Sequence, residues 1–160
     1  MNDFVTLLVL IAVANAAPIL GYQLLGKRYA WPIDAGRYGS DGRRVLGESK
    51  TLRGIILSLL ATMACSALLR HGVLTGLVIA ATAMAGDVMS SFIKRRMGKA
   101  SGGRAIGLDQ IPEALFPLLA VRTEFGLTRT NILIGVCLFI GAELTVSPLL
   151  YALQLRKRPH

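Results

Sequence analysis

The sequence predicts an all-α membrane protein of about five transmembrane helices, N-terminus outside and C-terminus cytoplasmic, and three observations predict it. Apolar residues make up 53% of the chain and charged residues only 17%, against about 25% charged in an ordinary soluble domain, and mean hydropathy is +0.56. The apolar residues fall in runs near the roughly 20 residues a helix needs to cross the hydrocarbon core. The 18 Lys and Arg collect in alternate intervals between those runs, as the positive-inside rule requires.

The elements follow in order within one integral-membrane domain, 1–160. The first span, 4–25, is interrupted only by Asn15, Pro18 and Gln23. Asp3 precedes it and no cation does, so it lacks the charged region of a cleaved signal and reads as a retained helix. Pro18 frees a backbone carbonyl, which Asn15 can satisfy. A polar, Gly-rich loop, 26–53, carries seven cations. Spans 54–70 and 73–93 follow, the second holding Asp87, and the loop 94–104 carries five cations, among them Lys94, Arg95 and Arg104. The fourth span, 105–121, holds Asp109 and Glu113 in its first half; the fifth, 132–155, holds Glu143, and the tail ends in Arg156, Lys157 and Arg158. Only Arg70, Arg122 and Arg129 fall on the other side, so both basic loops and the tail are expected in the cytoplasm.

A net charge of +9 over 9 acidic residues would suggest nucleic acid in a soluble protein. Set between apolar runs, it points to phosphate head groups, nucleotide phosphates and topology signals, with no nucleic acid. Cys65 and Cys137 lie inside apolar runs and read as small buried residues. His71, in a short outer turn, reads as solvated. No Ser-His-Asp set, Cys-His pair or HExxH occurs, so nucleophilic catalysis and zinc hydrolysis find no support.

The chemistry sits at the ends of two spans. An acidic side chain inside a span costs about 2.5–3.5 kcal/mol and needs a partner or a wet cavity. Asp87 and Asp109 flank the basic loop, and antiparallel packing of the third and fourth helices would bring them across one hairpin. Two carboxylates among cations suit Mg²⁺ and a polyphosphate, since Mg²⁺ takes one or two carboxylates and fills its octahedron with water and phosphate oxygens. The same residues could instead form structural caps with Lys94, Arg95 or Arg104, and the residues alone leave both readings open. Ser90, Ser91 and Lys94 or Arg95 share the helix face of Asp87. Gly47-Glu-Ser-Lys-Thr51 lacks the first Gly and the strand of a P-loop. Lys50, Thr51 and Arg53 at a helix N-terminus still form an anion site, or else a solvated loop.

Five blocks carry a resemblance: Ala14-Asn-Ala-Ala-Pro18; Pro32-Ile-Asp34 with Gly36; Arg44 to Thr51 with Arg53-Gly54; Gly86-Asp87 with Ser90 to Arg96; and Leu108-Asp-Gln110. In these the chain resembles the CDP-archaeol synthase family, short relatives of the phosphatidate cytidylyltransferases. The resemblance implies transfer of CMP from CTP to a membrane lipid phosphate (phosphatidate or an ether-lipid phosphate) with Mg²⁺ and release of pyrophosphate, at the cytoplasmic face of the cell membrane. It implies Asp87 and Asp109 as metal ligands and, with Lys94, as the catalytic set. Lys94 and Arg95 would contact phosphates, Lys50, Thr51 and Arg53 the nucleotide phosphates, and Asp34 joins them. Family members usually have Gly-Asp-Gly-Lys-Thr where this chain has Gly47-Glu-Ser-Lys-Thr51, and its 98–107 loop is Gly- and Ser-rich rather than Pro-rich. These departures bear on the lipid more than on the reaction. The alternatives are a small binding or transport protein for an anionic lipid or metabolite, which needs a polar path through both leaflets, and an acyltransferase, which does not account for paired Asp residues. A homodimer is compatible with so short a bundle.

Overall fold

The computed structural model describes residues 2–101, 103, 105 and 107–152, of which 146–152 by backbone alone. Five helices follow one another among these residues: α1 (Asp3–Leu25), α2 (Leu52–Leu68), α3 (Val73–Arg96), α4 (Gln110–Ala120) and α5 (Arg129–Ala152). Among the described residues there is no strand, only the isolated antiparallel bridges Pro32–Thr51 and Tyr38–Arg44 in the first loop. Among the described residues two helices, α1 and α3, are long and apolar enough to cross a membrane, and α2 is a shorter apolar helix. The end of the fifth predicted span, the tail cations Arg156, Lys157 and Arg158, and Arg104 lie outside the described residues.

The helices are apolar outside as well as inside. Leu24, Leu68 and Leu74 are 84%, 83% and 71% exposed, an arrangement that water would penalise and a lipid exterior accommodates. Cys137 lies on this exterior rather than in the core, because α5 buries only part of its circumference. The core is built by Leu7, Leu10 and Ile11 of α1 against Ile79 of α3 and Leu118 of α4.

Small residues set the packing of α2. Gly54, Ser58, Thr62 and Ser66 recur every fourth position and are all buried, a stripe that lets backbones approach closely. Pro18 of α1 cannot donate to the Ala14 carbonyl, as its ring nitrogen carries no hydrogen. Ser58 of α2 donates to that carbonyl at 2.7 Å. Asn15, the expected donor, instead reaches Ile11 at 2.9 Å.

The α3–α4 pair is antiparallel. Lys94 meets Asp109, Gly86 lies against Pro112 and Glu113, and Thr75 donates to Glu124. Gly86 sits so close to the α4 backbone that a Cβ there would run into the Pro112 carbonyl. α4 is shorter than the predicted 105–121 span and begins only at Gln110. Residues before it form turns, in which the Gly107 N–H donates to Gln110 at 2.7 Å. At the opposite end of the bundle His71 stacks on Phe125 with ring centroids 5.2 Å apart, so it is a packing residue rather than a solvated one.

Candidate active site

The first loop, 26–53, is organised around Asp34. One carboxylate oxygen accepts from the Gly36 N–H and from Arg44, each at 3.0 Å, and the other from the N–H groups of Leu46 (3.1 Å) and Gly47 (3.0 Å). Burial alone would raise this carboxyl. The backbone donors Gly47, Gly36 and Leu46, with the Arg44 guanidinium, outweigh it and hold the pKa at about 2. With its side chain 2% exposed, Asp34 holds the loop's shape and presents no oxygen to a ligand.

The loop is then clamped to the end of α3. Arg96 pairs with Asp41 at 2.7 Å and donates to the Arg44 carbonyl at 2.8 Å, and Arg43 returns a bond to the Arg96 carbonyl at 3.0 Å. Thr51 caps α2 through the Gly54 N–H (3.1 Å), and Arg53 donates to the carbonyls of Gly26 (3.0 Å) and Arg28. These two predicted phosphate contacts therefore tie the loop's ends together. Lys50 alone of that trio turns into the bundle, where it pairs with Asp87.

Two acid–base pairs and a third carboxylate form the interior of the site. Lys94 lies 2.6 Å from Asp109 and both side chains are at least 85% buried. The second Asp109 oxygen accepts from the Ala105 N–H at 3.0 Å. Asp87, joined to Lys50, faces Glu113 of α4 in hydrogen-bonding range, and Glu143 of α5 is close enough for its charge to act on Glu113. Glu113 is thus the residue sequence reasoning passed over. Its signal was present: it follows Asp109 by four residues, one helical turn on the same face. Ser90 and Ser91 are buried beside Asp87, and the Ser90 hydroxyl donates to the Asp87 carbonyl at 2.9 Å.

Arg95 is 6% exposed and its Nε has no hydrogen-bond partner, although the Asp109 charge acts on it. It faces a cavity of about 290 Å³ between the two loops, lined also by Arg43, Arg44, Lys99 and Ser101. Such a site can neutralise and orient a polyanion at one end of a helical bundle. Among the described residues, no group of three or more His, Cys, Asp or Glu is placed to hold a metal ion by protein ligands alone.

The family described as CarS-like, CDP-archaeol synthase, matches residues 4–160. The chain is similar to the CDP-archaeol synthase of Methanosphaerula palustris, with 39% identity covering 75% of this chain and 79% of the relative. It is similar over nearly its whole length to the CDP-archaeol synthase of Pyrobaculum calidifontis, with 32% identity covering 99% of each. A solved structure described as an intramembrane enzyme for archaeal membrane lipids biosynthesis superposes with a TM-score of 0.75 at 32% identity, covering 89% of this chain and 90% of the other.

Proposed function

The chain belongs to the CDP-archaeol synthase family, CTP-dependent cytidylyltransferases of archaeal lipid synthesis, and from that premise we propose how it transfers CMP to a lipid phosphate. The observation that carries the reading is the convergence of the Lys50–Asp87 and Lys94–Asp109 pairs at one end of the α3–α4 hairpin. In this reading the lipid phosphate is held at the cytoplasmic membrane surface and attacks the α-phosphate of CTP in line. Five spans carry the site, with the N-terminus outside. The lipid phosphate is already ionised at neutral pH, so the transfer needs positioning and charge neutralisation rather than a strong base. Lys94 and Arg95 orient the phosphates, and Lys50 offsets the charge of Asp87.

The donor set fits Mg²⁺. The Asp109 oxygen that faces Lys94 is buried and has no aligned hydrogen bond, and Asp87 faces a second carboxyl group, that of Glu113, so hard oxygen donors of the kind Mg²⁺ takes lie at this end of the hairpin. Asp87 and Asp109 would hold the ion, with water and phosphate oxygens completing its shell. When bound it supplies charge neutralisation at the phosphates.

The test follows CTP labelled in its α-phosphate. Detergent-solubilised protein with Mg²⁺ and either phosphatidate or an ether-lipid phosphate is expected to move label into the lipid fraction, and the preferred lipid identifies the substrate. Label that stays in the aqueous phase with both lipids, from folded protein, would refute the reading.

A further inference from the structure

We propose that the turn following α1 is a docking surface for the anionic head groups of the surrounding bilayer, with Tyr29 and Trp31 as its interfacial anchor. The last residues of α1, Leu24 and Leu25, are apolar and exposed. Directly beyond them come Lys27 and Arg28, both exposed, and then Tyr29 and Trp31, each 67% exposed. The two rings meet edge to face with centroids 6.4 Å apart. An exposed aromatic pair that runs on from an apolar helix end marks an interaction surface rather than a solvated loop. Rings with an apolar body and a polar N–H or O–H suit the boundary between hydrocarbon and head groups.

Depth and charge select the occupant. The 23 residues of α1 rise about 35 Å, slightly more than the roughly 30 Å of a hydrocarbon core. A helix that crosses the core therefore delivers this turn to the head-group layer. From Phe4 to Ile33 the sequence has no acidic residue, and among the described residues neither Lys27 nor Arg28 is held in an ion pair. A positive turn beside an apolar helix end is complementary to lipid phosphate. A second copy of the chain is the poorer occupant, since a twofold contact would set the same cations against each other.

The turn is held firmly enough to anchor something. Tyr29 has φ of +56°, a left-handed conformation that an aromatic residue keeps only where its surroundings hold it there. Arg53 of α2 brackets the turn, donating to the carbonyls of Gly26 (3.0 Å) and Arg28. The Trp31 carbonyl accepts from the Leu52 N–H and the Lys50 carbonyl from the Ile33 N–H, each at 2.9 Å. The anchor is thereby joined to the segment that carries Lys50, so the level of the head groups sets the height of Lys50 in the bundle. That last consequence bears on catalysis only through the transfer reading; the docking surface stands apart from it.

Trp31 is the chain's single tryptophan, so the intrinsic fluorescence of the full chain in vesicles reports this anchor, without CTP or substrate lipid. Quenching by lipids carrying bromine near the glycerol end is expected to exceed quenching by bromine near the chain terminus, and aqueous acrylamide to quench far less than in the unfolded chain. In mixed bilayers, brominated phosphatidylglycerol should quench as though enriched at least about fivefold over brominated phosphatidylcholine, the scale of one cation at a charged surface. Lys27→Gln/Arg28→Gln should abolish that preference and leave the quenching depth unchanged; should it misfold, Lys27→Gln decides alone. Quenching strongest from the chain terminus, or by acrylamide as in the unfolded chain, would overturn the interfacial placement. Shielding from both lipid-borne and aqueous quenchers would mean that protein covers the patch and would overturn it too. Equal quenching by the two lipids, or an unchanged preference in the folded variant, would overturn the head-group site. A protein whose Trp31 behaves as expected but which transfers no CMP would refute the transfer reading and leave the docking surface standing.

Discussion

At the scale of the residue, Lys50 does the most with the least. It is the cation set against Asp87 while Glu113 presses a second carboxylate on the same oxygen cluster. Lys50→Gln should therefore lower kcat by about 100-fold, the scale of removing one preorganised charge, with Lys50→Arg recovering part of it; steady-state kinetics on folded protein checks this. Asp34 makes a different prediction. Its folded pKa lies below the ordinary carboxylate value of 3.8, at about 2, so its contribution of about 2 kcal/mol is complete above about pH 4 and disappears as pH falls toward 2. Asp34→Asn should lose that stability at neutral pH, read as a lower melting temperature in detergent, and flatten the acid limb of the stability profile. Asp87 and Asp109 were legible in the sequence because charge inside an apolar run demands a reason, and Lys94 as a cation of the loop that follows. Thr51 and Arg53 were legible at a helix N-terminus beside Lys50, and Asp34 only through the resemblance, but their backbone partners were not, since hydrogen bonds to Gly47 or Gly26 depend on how the loop closes.

At the scale of the element, the α3–α4 hairpin is positioned by an absence of side chain. Gly86→Ala would push a methyl group into the Pro112 carbonyl and is expected to cost about 1–3 kcal/mol, loosening Asp87 from Glu113 so that activity falls along with the thermal midpoint. Ser58→Ala removes the hydroxyl donor to the Ala14 carbonyl that Pro18 leaves open. A loss of about 1 kcal/mol is expected, with activity preserved below the midpoint. The five helices were readable from apolar runs, and α1 begins within a residue of its predicted start. The start of α4 was not readable: Asp109, Gln110 and Glu113 interrupt the apolar run from Ile106 to Val121 without marking a boundary, and the turn bonds at Gly107 and Asp109 place the helix from Gln110 onward.

At the scale of the whole molecule, an apolar exterior meets a cationic end formed by two loops clamped through Arg96 to Asp41 and Arg43 to Arg96. If that end faces the cytoplasm, single cysteines introduced at the exposed Arg37 and Thr123, with Cys65 and Cys137 removed, should label from opposite sides of oriented vesicles, Arg37→Cys from the cytoplasmic side. Charge asymmetry made the orientation readable as an expectation, whereas the meeting of both loops in one cavity required the fold. In the proposed transfer the carboxylates of the α3–α4 hairpin organise the reacting nucleotide. The most direct measurement is Mg²⁺-dependent pyrophosphate release from CTP and a lipid phosphate by wild type, Asp87→Asn and Asp109→Asn, each shown to be folded. Release by wild type that requires both Mg²⁺ and lipid is expected, with loss of at least about 100-fold in either variant; wild-type rates in a folded Asp87→Asn protein would contradict this assignment.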